Sequence, residues 1–322
     1  MENSKIEWTD HTINSWIGCT KVSPGCQHCY AERQNSRYKW VWSFRDARKR
    51  TSEQNLNKPY TWNKQPWVQC PACGWRGPEA HWNTLGHCPD CSQVEAVPTQ
   101  ARVLCNSLSD ILDDFHPEVL MHWRSRLFKT IADCSNLTWL LLTKRPENAE
   151  RMFPEEWIVD GFPPHVWLGV SIESQKYLHR LAILSSLSVN RFVSVEPMLG
   201  PVSLKPYLWA VDWVICGGES GPKARPTYPH WIQGLRDECE GFSLPFFFKQ
   251  WGEWAPADEL KAKHAHEVLW VRGREECGYY CDEEHGHVDH QEWLMERVGR
   301  KAAGAMLDGK LHRAFPVFLG DV

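Results

Sequence analysis

The stretch Thr138-Trp-Leu-Leu-Leu-Thr143, which runs directly into Lys-Arg-Pro-Glu (144–147), decides the fold. Its apolar residues do not alternate with polar ones, a pattern typical of strands that are buried on both faces of a parallel sheet. Helix-like segments separate this run from others of the same kind, which predicts βα units joined by right-handed crossovers. The other apolar runs are residues 15–19, 102–107, 166–172, 191–195, 213–216 and 245–249, and the helix-like segments are 30–38, 117–133, 174–187 and 230–240.

Seven such strands are too many for a small sheet and too few for a complete eight-stranded barrel. We therefore predict an α/β fold, a partial (β/α) TIM-like barrel over residues 1–65 and 96–254, with an open doubly wound sheet as the alternative. Residues 66–95 interrupt the alternation and carry four cysteines, which indicates a small zinc-ribbon insert. Residues 255–322 begin with a charged, histidine-rich stretch and are predicted to form a C-terminal insert or cap.

Composition limits the class of protein. The chain has 322 residues, of which 42% are apolar and 12% aromatic, so it can bury a core and is not mainly disordered. The net charge of −4 gives no overall basic field, so binding of nucleic acid would need a local patch. No apolar run approaches 18 residues and the N-terminus has no signal-peptide pattern, which predicts a soluble, cytoplasmic protein. Thirteen cysteines in such a protein favour metal sites over disulfides.

Polar or charged residues follow nearly every predicted strand. In α/β barrels the carboxyl ends of the strands carry the chemistry, so their recurrence on successive strands predicts one shared site. Each residue taken singly is equally well explained as a helix cap or as part of a salt bridge at the rim. The residues are Asn106, Ser107, Ser109, Asp110, Lys144, Arg145, Ser171, Glu173, Glu196, Gly217, Gly218, Glu219, Lys249 and Gln250.

A loop with three cysteines, Cys19, Cys26 and Cys29, follows the first predicted strand. The Pro-Gly pair at 24–25 predicts a turn, and the helix expected from Tyr30 would place Cys29 near a helix N-terminus, where an anionic group is favoured. Three thiolates on one loop suit a [4Fe–4S] cluster whose fourth iron lacks a protein ligand. The alternatives are a zinc site completed by a nearby histidine (His11 or His28) and cysteines without a metal.

Several phrases in fixed order resemble a phage-associated three-cysteine-motif family, which is itself similar to radical S-adenosylmethionine (SAM) enzymes of the spore photoproduct lyase type. The first cysteine spacing departs from the Cys-x3-Cys-x2-Cys pattern of most radical SAM enzymes, since six residues stand where three are usual, whereas the second spacing matches. The phrases are Cys-Thr-Lys-Val-Ser-Pro-Gly-Cys (19–26), Leu-Thr-Lys-Arg-Pro-Glu (142–147), Trp-Leu-Gly-Val-Ser (167–171), Arg-Phe-Val-Ser-Val-Glu-Pro (191–197), Gly-Gly-Glu-Ser-Gly (217–221) and Phe-Phe-Lys-Gln-Trp-Gly (247–252).

The resemblance implies an enzyme that carries a [4Fe–4S] cluster and SAM. In such enzymes one electron, from a donor such as flavodoxin or ferredoxin, cleaves SAM to methionine and a 5′-deoxyadenosyl radical, which abstracts hydrogen from the substrate. The family's phage association implies phage DNA modification or repair, with a nucleobase or modified nucleotide in DNA as the substrate.

The resemblance also assigns roles to the residues at the strand ends. The methionine amino group would lie near Asn106, Ser107, Ser109 and Asp110, its carboxylate near Lys144, and the ribose near Ser171, Glu173 and Glu196. Gly217 and Gly218 would permit close approach of the ligand, and Glu219 would bind adenine or substrate. Arg145, Lys249 and Gln250 would contact substrate.

The second cysteine group is a CxxC pair, fourteen intervening residues and a second CxxC pair, formed by Cys70, Cys73, Cys88 and Cys91. This spacing predicts one tetrahedral zinc ion held by all four thiolates, and a rubredoxin-like iron site is the alternative with the same ligands. A 30-residue insert has too little core of its own, so the metal would supply folding energy. Contact with nucleic acid and a purely structural role are equally compatible with the insert.

Two further motifs, and the function of the chain as a whole, each have more than one interpretation. A third group, Cys277, Cys281, His285, His287 and His290, is either a second zinc site or, more in keeping with its spacing, a solvated loop. A basic run at 45–50, with Lys39 nearby, is either a solvated face or a surface that binds a nucleic-acid backbone. For the whole chain, the rival to the enzyme is a non-enzymatic zinc-stabilised nucleic-acid-binding protein. A zinc hydrolase is disfavoured because no histidine-rich ligand set stands at the strand ends.

Overall fold

The computed structural model describes residues 2–257, 268–272 and 292–317. Within these ranges the strands are β1 (His11–Ile13), β2 (Trp16–Ile17), β3 (Lys49–Arg50), β4 (Trp67–Gln69), β5 (Arg76–Pro78), β6 (Val97–Thr99), β7 (Ala101–Cys105), β8 (Leu137–Thr143), β9 (Val166–Ser171), β10 (Asn190–Val195), β11 (Trp213–Gly217), β12 (Phe246–Gln250), β13 (Trp254–Pro256), β14 (Val268–Arg272), β15 (Glu292–Arg297), β16 (Met306–Leu307) and β17 (Lys310–Leu311).

The α-helices in the same part of the chain are α1 (Tyr30–Tyr38), α2 (Glu53–Leu56), α3 (Lys58–Trp62), α4 (Glu79–Leu85), α5 (Pro117–Asp133), α6 (Ala149–Met152), α7 (Glu155–Val159), α8 (His179–Leu184), α9 (Pro229–Gly241) and α10 (Arg300–Ala303). Helices α1 and α5 have the bounds that the sequence predicts. The single helix predicted over 174–187 is instead a 3-10 turn, Gln175–Tyr177, followed by the shorter α8.

The central sheet contains seven strands in the order β1-β7-β8-β9-β10-β11-β12, and every neighbouring pair is parallel. Strands that are neighbours in the sheet also succeed one another along the chain, with only the short strands β2 to β6 between β1 and β7. A doubly wound sheet would reverse its strand order at a switch point, and this sheet does not. The architecture is therefore a mixed α/β half barrel, as the sequence predicts.

The first strand lies earlier than predicted. Residues 15–19 were expected to enter the sheet, but β1 covers His11–Ile13, and the chain leaves the sheet immediately afterwards. Asn106 fixes this exit, because its backbone N–H donates to the Ile13 carbonyl at 2.8 Å and its side-chain oxygen accepts the Ser15 N–H at 2.9 Å. The apolar pair Trp16–Ile17 then forms β2, which pairs with β3 rather than with the barrel. Two of the three residues of β1, His11 and Thr12, are polar, so a search for apolar runs does not detect this strand.

Alternate residues of the barrel strands face two separate cores. In β8, Trp139 and Leu141 pack in the large core that contains the helices, whereas Leu140 belongs to the other face. Aromatic rings dominate that other face, and the strand positions beside them are adapted to their size: a Cβ on Gly169 would lie 2.4 Å from the Phe192 ring. The rings on this face are Trp8, Trp167, Phe192, Trp213 and Phe247.

The β12 edge of the half barrel is covered by a later segment of the chain, which hinders pairing with another chain there. Along β12, Phe248 N–H donates to the His312 carbonyl at 2.8 Å and Ala314 N–H donates to the Phe246 carbonyl at 3.1 Å. At the β1 edge the His11 ring stacks on Trp62 at 4.4 Å between ring centroids.

The four-cysteine insert forms its own antiparallel sheet in the order β5-β4-β6, with α4 following β5. It is anchored to the β1 edge, where Trp67 of β4 contacts the His11 ring edge-on at 5.4 Å. The predicted boundaries at 66 and 95 stay predictions, and the insert's sheet continues to Thr99.

After the barrel, β13, β15 and β14 form an antiparallel sheet. The candidate third metal group (Cys277, Cys281, His285, His287 and His290) lies outside the described residues. No helix in the described part of the chain is both long enough and apolar enough to cross a membrane.

Candidate functional site

The three-cysteine loop is an ordered segment that ends on a helix. After Cys19 the chain forms a 3-10 turn, Pro24–Cys26, and Cys29 is the N-cap of α1. Within the loop, Lys21 Nζ donates to the Gln27 carbonyl at 2.8 Å. The Cys29 thiol thus lies at the amino end of a nine-residue helix, where unpaired N–H groups and the helix dipole favour negative charge.

The three thiols lie further apart than a single ion requires. A tetrahedral zinc with Zn–S bonds of about 2.3 Å brings its sulfurs to within about 4 Å of one another. Among the described residues, the only group of three or more metal-ligating side chains with ligand atoms within 4.8 Å of one another is the four-cysteine group of the insert. Cys19, Cys26 and Cys29 do not form such a compact group, and the [4Fe–4S] cluster that the sequence predicts on them stays a prediction.

The surroundings of two thiols hold them protonated when no metal is bound. Removal from water raises the pKa of Cys19 to about 12, and the nearby Asp110 carboxylate adds to the rise while Arg145 opposes it. Burial also raises the pKa of Cys29, against the backbone N–H groups of Glu32 and Ala31, which favour the thiolate. Metal binding must therefore release protons here, and Arg145 and the helix N-terminus stabilise the thiolates that form.

Arg145 lies behind Cys19 and ties the loop to the barrel. Its side chain is buried, with one nitrogen 3.7 Å from the Cys19 sulfur and another donating to the Thr20 carbonyl at 2.7 Å. The same guanidinium forms an ion pair with Asp110 at 3.1 Å and lies 3.8 Å from Asp113. These contacts orient the loop, and the predicted contact of Arg145 with substrate stays a prediction.

Glu173 is the buried carboxylate beneath the loop. It is fully buried and accepts a hydrogen bond from the Ser23 hydroxyl at 2.5 Å. It also pairs with Arg180 at 2.8 Å and with Lys144 at 3.2 Å. Burial alone would raise the pKa of Glu173, but the two cations and the Ser23 hydroxyl outweigh it and lower the pKa. A Cβ at position 25 would lie 2.5 Å from this carboxylate, so the close packing of the turn against Glu173 requires Gly25.

A second carboxylate, Glu219, holds the other side of the loop through Arg225. The guanidinium of Arg225 makes a bidentate pair with Glu219 at 2.8 and 2.6 Å. It also donates to the Pro24 carbonyl at 2.9 Å, two residues before Cys26. The loop therefore rests on the strand ends of β9 and β11 through two charged groups from distant parts of the chain.

The remaining predicted site residues lie at strand ends around the loop. The Asp110 side chain accepts from the Thr143 hydroxyl at 2.7 Å and from the Lys144 N–H at 2.9 Å, and its predicted contact with the SAM amino group stays a prediction. The Ser109 hydroxyl donates to the Trp16 carbonyl at 3.1 Å, and the Ser107 carbonyl accepts from Tyr30.

The last three strands bring Glu196, Gly217, Gly218, Lys249 and Gln250 together. Lys249 Nζ lies 2.5 Å from a Glu196 oxygen. A Cβ on Gly218 would lie 1.8 Å from a carbonyl oxygen just beyond β12, so the close approach of the two strand ends requires a glycine here, and its predicted role in ligand approach stays a prediction. Ser171 is buried at the end of β9, and its carbonyl accepts from Arg180 at 2.7 Å.

Sequence reasoning missed Ser23, Arg180 and Arg225. Ser23 lies 150 residues from Glu173, and although Arg180 and Arg225 lie seven and six residues from their carboxylates, neither spacing is a recognised motif. The only available signal was the position of Ser23 and Arg225 inside the quoted or neighbouring rim loops, since Arg225 follows Gly-Gly-Glu-Ser-Gly by four residues.

The four cysteines of the insert form a compact group with the geometry of a single tetrahedral ion. The Cys70 and Cys91 sulfurs are 3.5 Å apart, as are those of Cys73 and Cys88. Each CxxC pair folds identically: Gly74 N–H donates to the Cys70 carbonyl and Ser92 N–H to the Cys88 carbonyl, both at 3.0 Å.

Gly74 and Ser92 both adopt positive φ, +77° and +64°, so the two loops repeat one backbone shape. The N–H groups of Cys73 and Ala72 face the Cys70 sulfur and, against the effect of burial, lower the pKa of that thiol to about 7. The donor set and geometry fit a metal ion held by four thiolates.

Comparison with solved structures gives three similar chains, all of spore photoproduct lyase. A cysteine-to-serine mutant has 10% sequence identity and a TM-score of 0.40 over 85% of this chain and 68% of that one. A cysteine-to-alanine mutant with dinucleoside spore photoproduct has 10% identity and a TM-score of 0.40, over 92% and 70%. The enzyme complexed with dinucleoside spore photoproduct has 10% identity and a TM-score of 0.38, over 92% and 71%. Likeness at this level carries no argument about function.

No curated protein matches the chain significantly. The expected phage association stays a prediction. A family model does match, over residues 3–316, which is nearly the whole chain and includes both cysteine groups. The chain therefore belongs to the family described as DUF5131, protein of unknown function.

Proposed function

We propose that the protein is a radical SAM enzyme that holds a [4Fe–4S] cluster on Cys19, Cys26 and Cys29. We further propose that it removes hydrogen from a nucleobase or modified nucleotide in DNA, as an enzyme of phage DNA modification or repair. The observation that carries the proposal is the loop of three separated thiols, set on a helix N-terminus at the carboxyl ends of a parallel half barrel. This is the end of a barrel where active sites occur.

The residues present fit the proposed cofactors in two respects. The donor set consists of three thiols and leaves one iron of a cubane open, as chelation of SAM requires. Two nine-tenths-buried polar atoms at strand ends, Asn106 Nδ2 and Gln250 Oε1, have no hydrogen-bond partner in the described part of the chain. Buried polar groups are normally satisfied, so an unpaired donor and an unpaired acceptor at this end of the barrel suit a polar ligand.

When bound, the cluster and SAM supply hydrogen-atom abstraction, using one electron from a small redox protein such as a flavodoxin or ferredoxin and releasing methionine. The chain's own residues bind and orient SAM and the substrate. Lys144, whose side chain is 19% exposed, is the accessible cation for the SAM carboxylate. Glu196 with Lys249, and Asn106 with Gln250, remain the proposed contacts for the rest of the ligand and for substrate.

Arg145 and Glu173 position the loop. Arg145 stabilises negative charge at Cys19, since its nitrogen lies 3.7 Å from the sulfur. Glu173 anchors the turn before Cys26 through Ser23. The covered strand ends exclude water from the region behind the loop, which protects a reactive species from side reactions.

The proposal is tested on full-length protein purified without oxygen. We expect about four irons per chain, a [4Fe–4S] absorption and formation of 5′-deoxyadenosine when reductant and SAM are added. Cys26→Ala should lose the iron and keep one zinc per chain, whereas Cys239→Ala, in α9, should keep both. A protein that shows the cluster spectrum but forms no 5′-deoxyadenosine contradicts the enzymatic proposal. Zinc without iron in the wild type supports the non-enzymatic nucleic-acid-binding protein instead.

A further inference from the structure

A short segment that begins in the last turn of α1 and ends in β3 packs directly against the three-cysteine loop. We call residues 37–50 the aromatic-basic segment. Cys19 N–H donates to the Phe44 carbonyl at 2.9 Å, and a Cβ on Gly18 would lie 2.3 Å from the Ala47 carbonyl oxygen. Val41 and Phe44 are buried in one cluster with Cys19 and Cys29. The outer surface of this segment is therefore the surface beside the proposed cluster.

The aromatic-basic segment is held in one conformation. The Asn35 side chain accepts the Val41 N–H at 3.0 Å and donates to the Val41 carbonyl at 3.1 Å. Lys39 ends α1 with φ at +53° and donates its N–H to the Asn35 carbonyl at 2.7 Å. The rings of Tyr38 and Trp40 are stacked, 5.1 Å between centroids and 20° between planes. A surface ordered in this way loses little conformational freedom when it binds a ligand.

Large aromatic side chains on this segment face solvent. Trp42 is 84% exposed although its neighbours on either side in the fold, Val41 and Phe44, are buried, and Tyr38 is 55% exposed. Folding buries little of the Trp42 side chain, so this ring contributes little to the stability of the fold. Exposed rings on a fixed surface are the means by which proteins stack bases of single-stranded nucleic acid.

The charge of the region is opposite to that of the chain. Residues 30–50 contain seven lysines and arginines and two acidic residues, in a chain of net charge −4. Of the two acids, Glu32 is paired with both Lys21 at 3.0 Å and Arg45 at 2.9 Å. Lys39 and Lys49 are exposed and form no ion pair with any residue that the structure describes. The segment thus offers cations for phosphate groups beside rings for bases.

We infer that the aromatic-basic segment is the binding surface for single-stranded DNA, with a base stacked on Trp42 and phosphates next to Lys39 and Lys49. This deepens the proposed function and rests on it for the chemistry, because it places the strand next to the three-cysteine loop. It also supplies the local basic patch that binding of nucleic acid would need in a chain of net charge −4. A base taken out of a duplex would present the same single-stranded features.

Binding is measured by fluorescence anisotropy with a labelled twelve-nucleotide thymidine oligomer and the full-length protein, without reductant or SAM. Trp42→Ala should weaken binding about tenfold or more, since stacking on one ring contributes that much, and Trp42→Phe should restore most of it. Trp209→Ala is the matched control, because Trp209 is 69% exposed on the 3-10 helix Lys205–Ala210, before β11. It should bind like the wild type.

The lysines are tested by the salt dependence. The double variant Lys39→Asn/Lys49→Gln should lower the slope of log K against log salt by about 1.4, or about 0.7 for each single-strand phosphate that is no longer neutralised. Asparagine is chosen at position 39 because it tolerates positive φ. Both side chains are exposed, so circular dichroism should show unchanged folding.

The inference is overturned if Trp42→Ala and Trp209→Ala bind alike, if a duplex of the same length binds as tightly as the single strand, or if the oligomer does not bind. Its failure is distinguishable from that of the proposed function. Formation of 5′-deoxyadenosine with binding that does not depend on Trp42 overturns only the surface. Binding that depends on Trp42 in a protein with the cluster but no 5′-deoxyadenosine overturns only the chemistry.

Discussion

Loss of the metal from the four-cysteine insert should unfold the insert and leave the half barrel intact. We predict this for Cys91→Ser, which removes one exposed ligand of the proposed zinc. The buried apolar side chains of the insert's own core, apart from the cysteines, are Val68 and Trp82. Their burial contributes about 3–6 kcal/mol in total. Ordering the backbone costs about 1–2 kcal/mol per residue, so a handful of residues cancels that gain. The metal must supply the difference.

Trypsin reports the change at a single position. Arg76 is the only lysine or arginine between Lys64 and Arg102. In the folded insert it belongs to β5, its side chain is 7% exposed, and it donates to the Gln100 carbonyl at 2.7 Å. Wild-type protein should therefore resist cleavage after Arg76, and Cys91→Ser should be cut there rapidly.

Mass spectrometry of the fragments, with metal analysis of the same samples, gives the result. Thr84→Ala, an exposed change on α4 of the same insert, should keep both the metal and the resistance. Cleavage after the exposed Arg37 should occur at the same rate in every variant. Continued resistance at Arg76 in a variant shown to be free of zinc would refute the reasoning, because the insert would then fold without its metal.

Three further predictions concern stability. Glu173→Gln leaves the buried Arg180 and the partly exposed Lys144 without their charged partner and should cost about 3–5 kcal/mol of unfolding free energy at pH 7. Because the pKa of Glu173 is lowered in the fold, its stabilisation is present above the unfolded value near 4.3 and is lost as pH falls through the folded value. The difference from wild type in urea titrations should therefore shrink in acid, and a constant difference contradicts this. Gly218→Ala should lower the free energy of unfolding by about 3 kcal/mol, because its Cβ would clash with a carbonyl oxygen. Gly234→Ala in α9 should stabilise the protein slightly, because nothing lies within 4 Å of the added Cβ. Equal melting temperatures for the two variants would be inconsistent with the clash. Burial lowers the pKa of His11, whose ring nitrogens have no hydrogen-bond partner in the described part of the chain. The fold therefore favours the neutral ring, and the free energy of unfolding should decrease as pH falls below the unfolded value of about 6.5. His11→Phe should raise the melting temperature more at pH 5.5 than at pH 8, and a gain independent of pH counts against it.

The two cysteine groups show how one residue type supports different sites. In the insert, four sulfurs converge on a space the size of one ion. In the barrel loop, Cys19 is held by Arg145 and Cys29 by the start of α1, and the separation between thiols is wider. The difference arises from the backbone, because two identical tight loops face each other in the insert, whereas the barrel loop is drawn apart by contacts to several strands.

The alternation of apolar runs and helices predicted the barrel strands from β7 to β12, because a strand buried on both faces is a continuous apolar run that the sequence shows directly. It failed at β1, where His11 and Thr12 are buried polar residues in an edge strand, and where the His11 ring packs on Trp62 of α3 and on Trp67 of the insert. The burial of His11 depends on Trp62 and Trp67, which no local pattern places beside it.

The sequence by itself identified the candidate metal-ligating groups and the polar strand ends, because ligand type, turn residues and buried runs are local properties of the chain. Only the tertiary structure decided which of those polar groups are occupied by partners within the protein. Ser23 and Glu173 are 150 residues apart and Arg225 and Pro24 are 201 apart, yet both pairs are in hydrogen-bond contact beneath one loop. Such pairs form because parallel strands bring their carboxyl ends to one edge, where polar and charged groups removed from water must find hydrogen-bond partners wherever in the chain those partners arise.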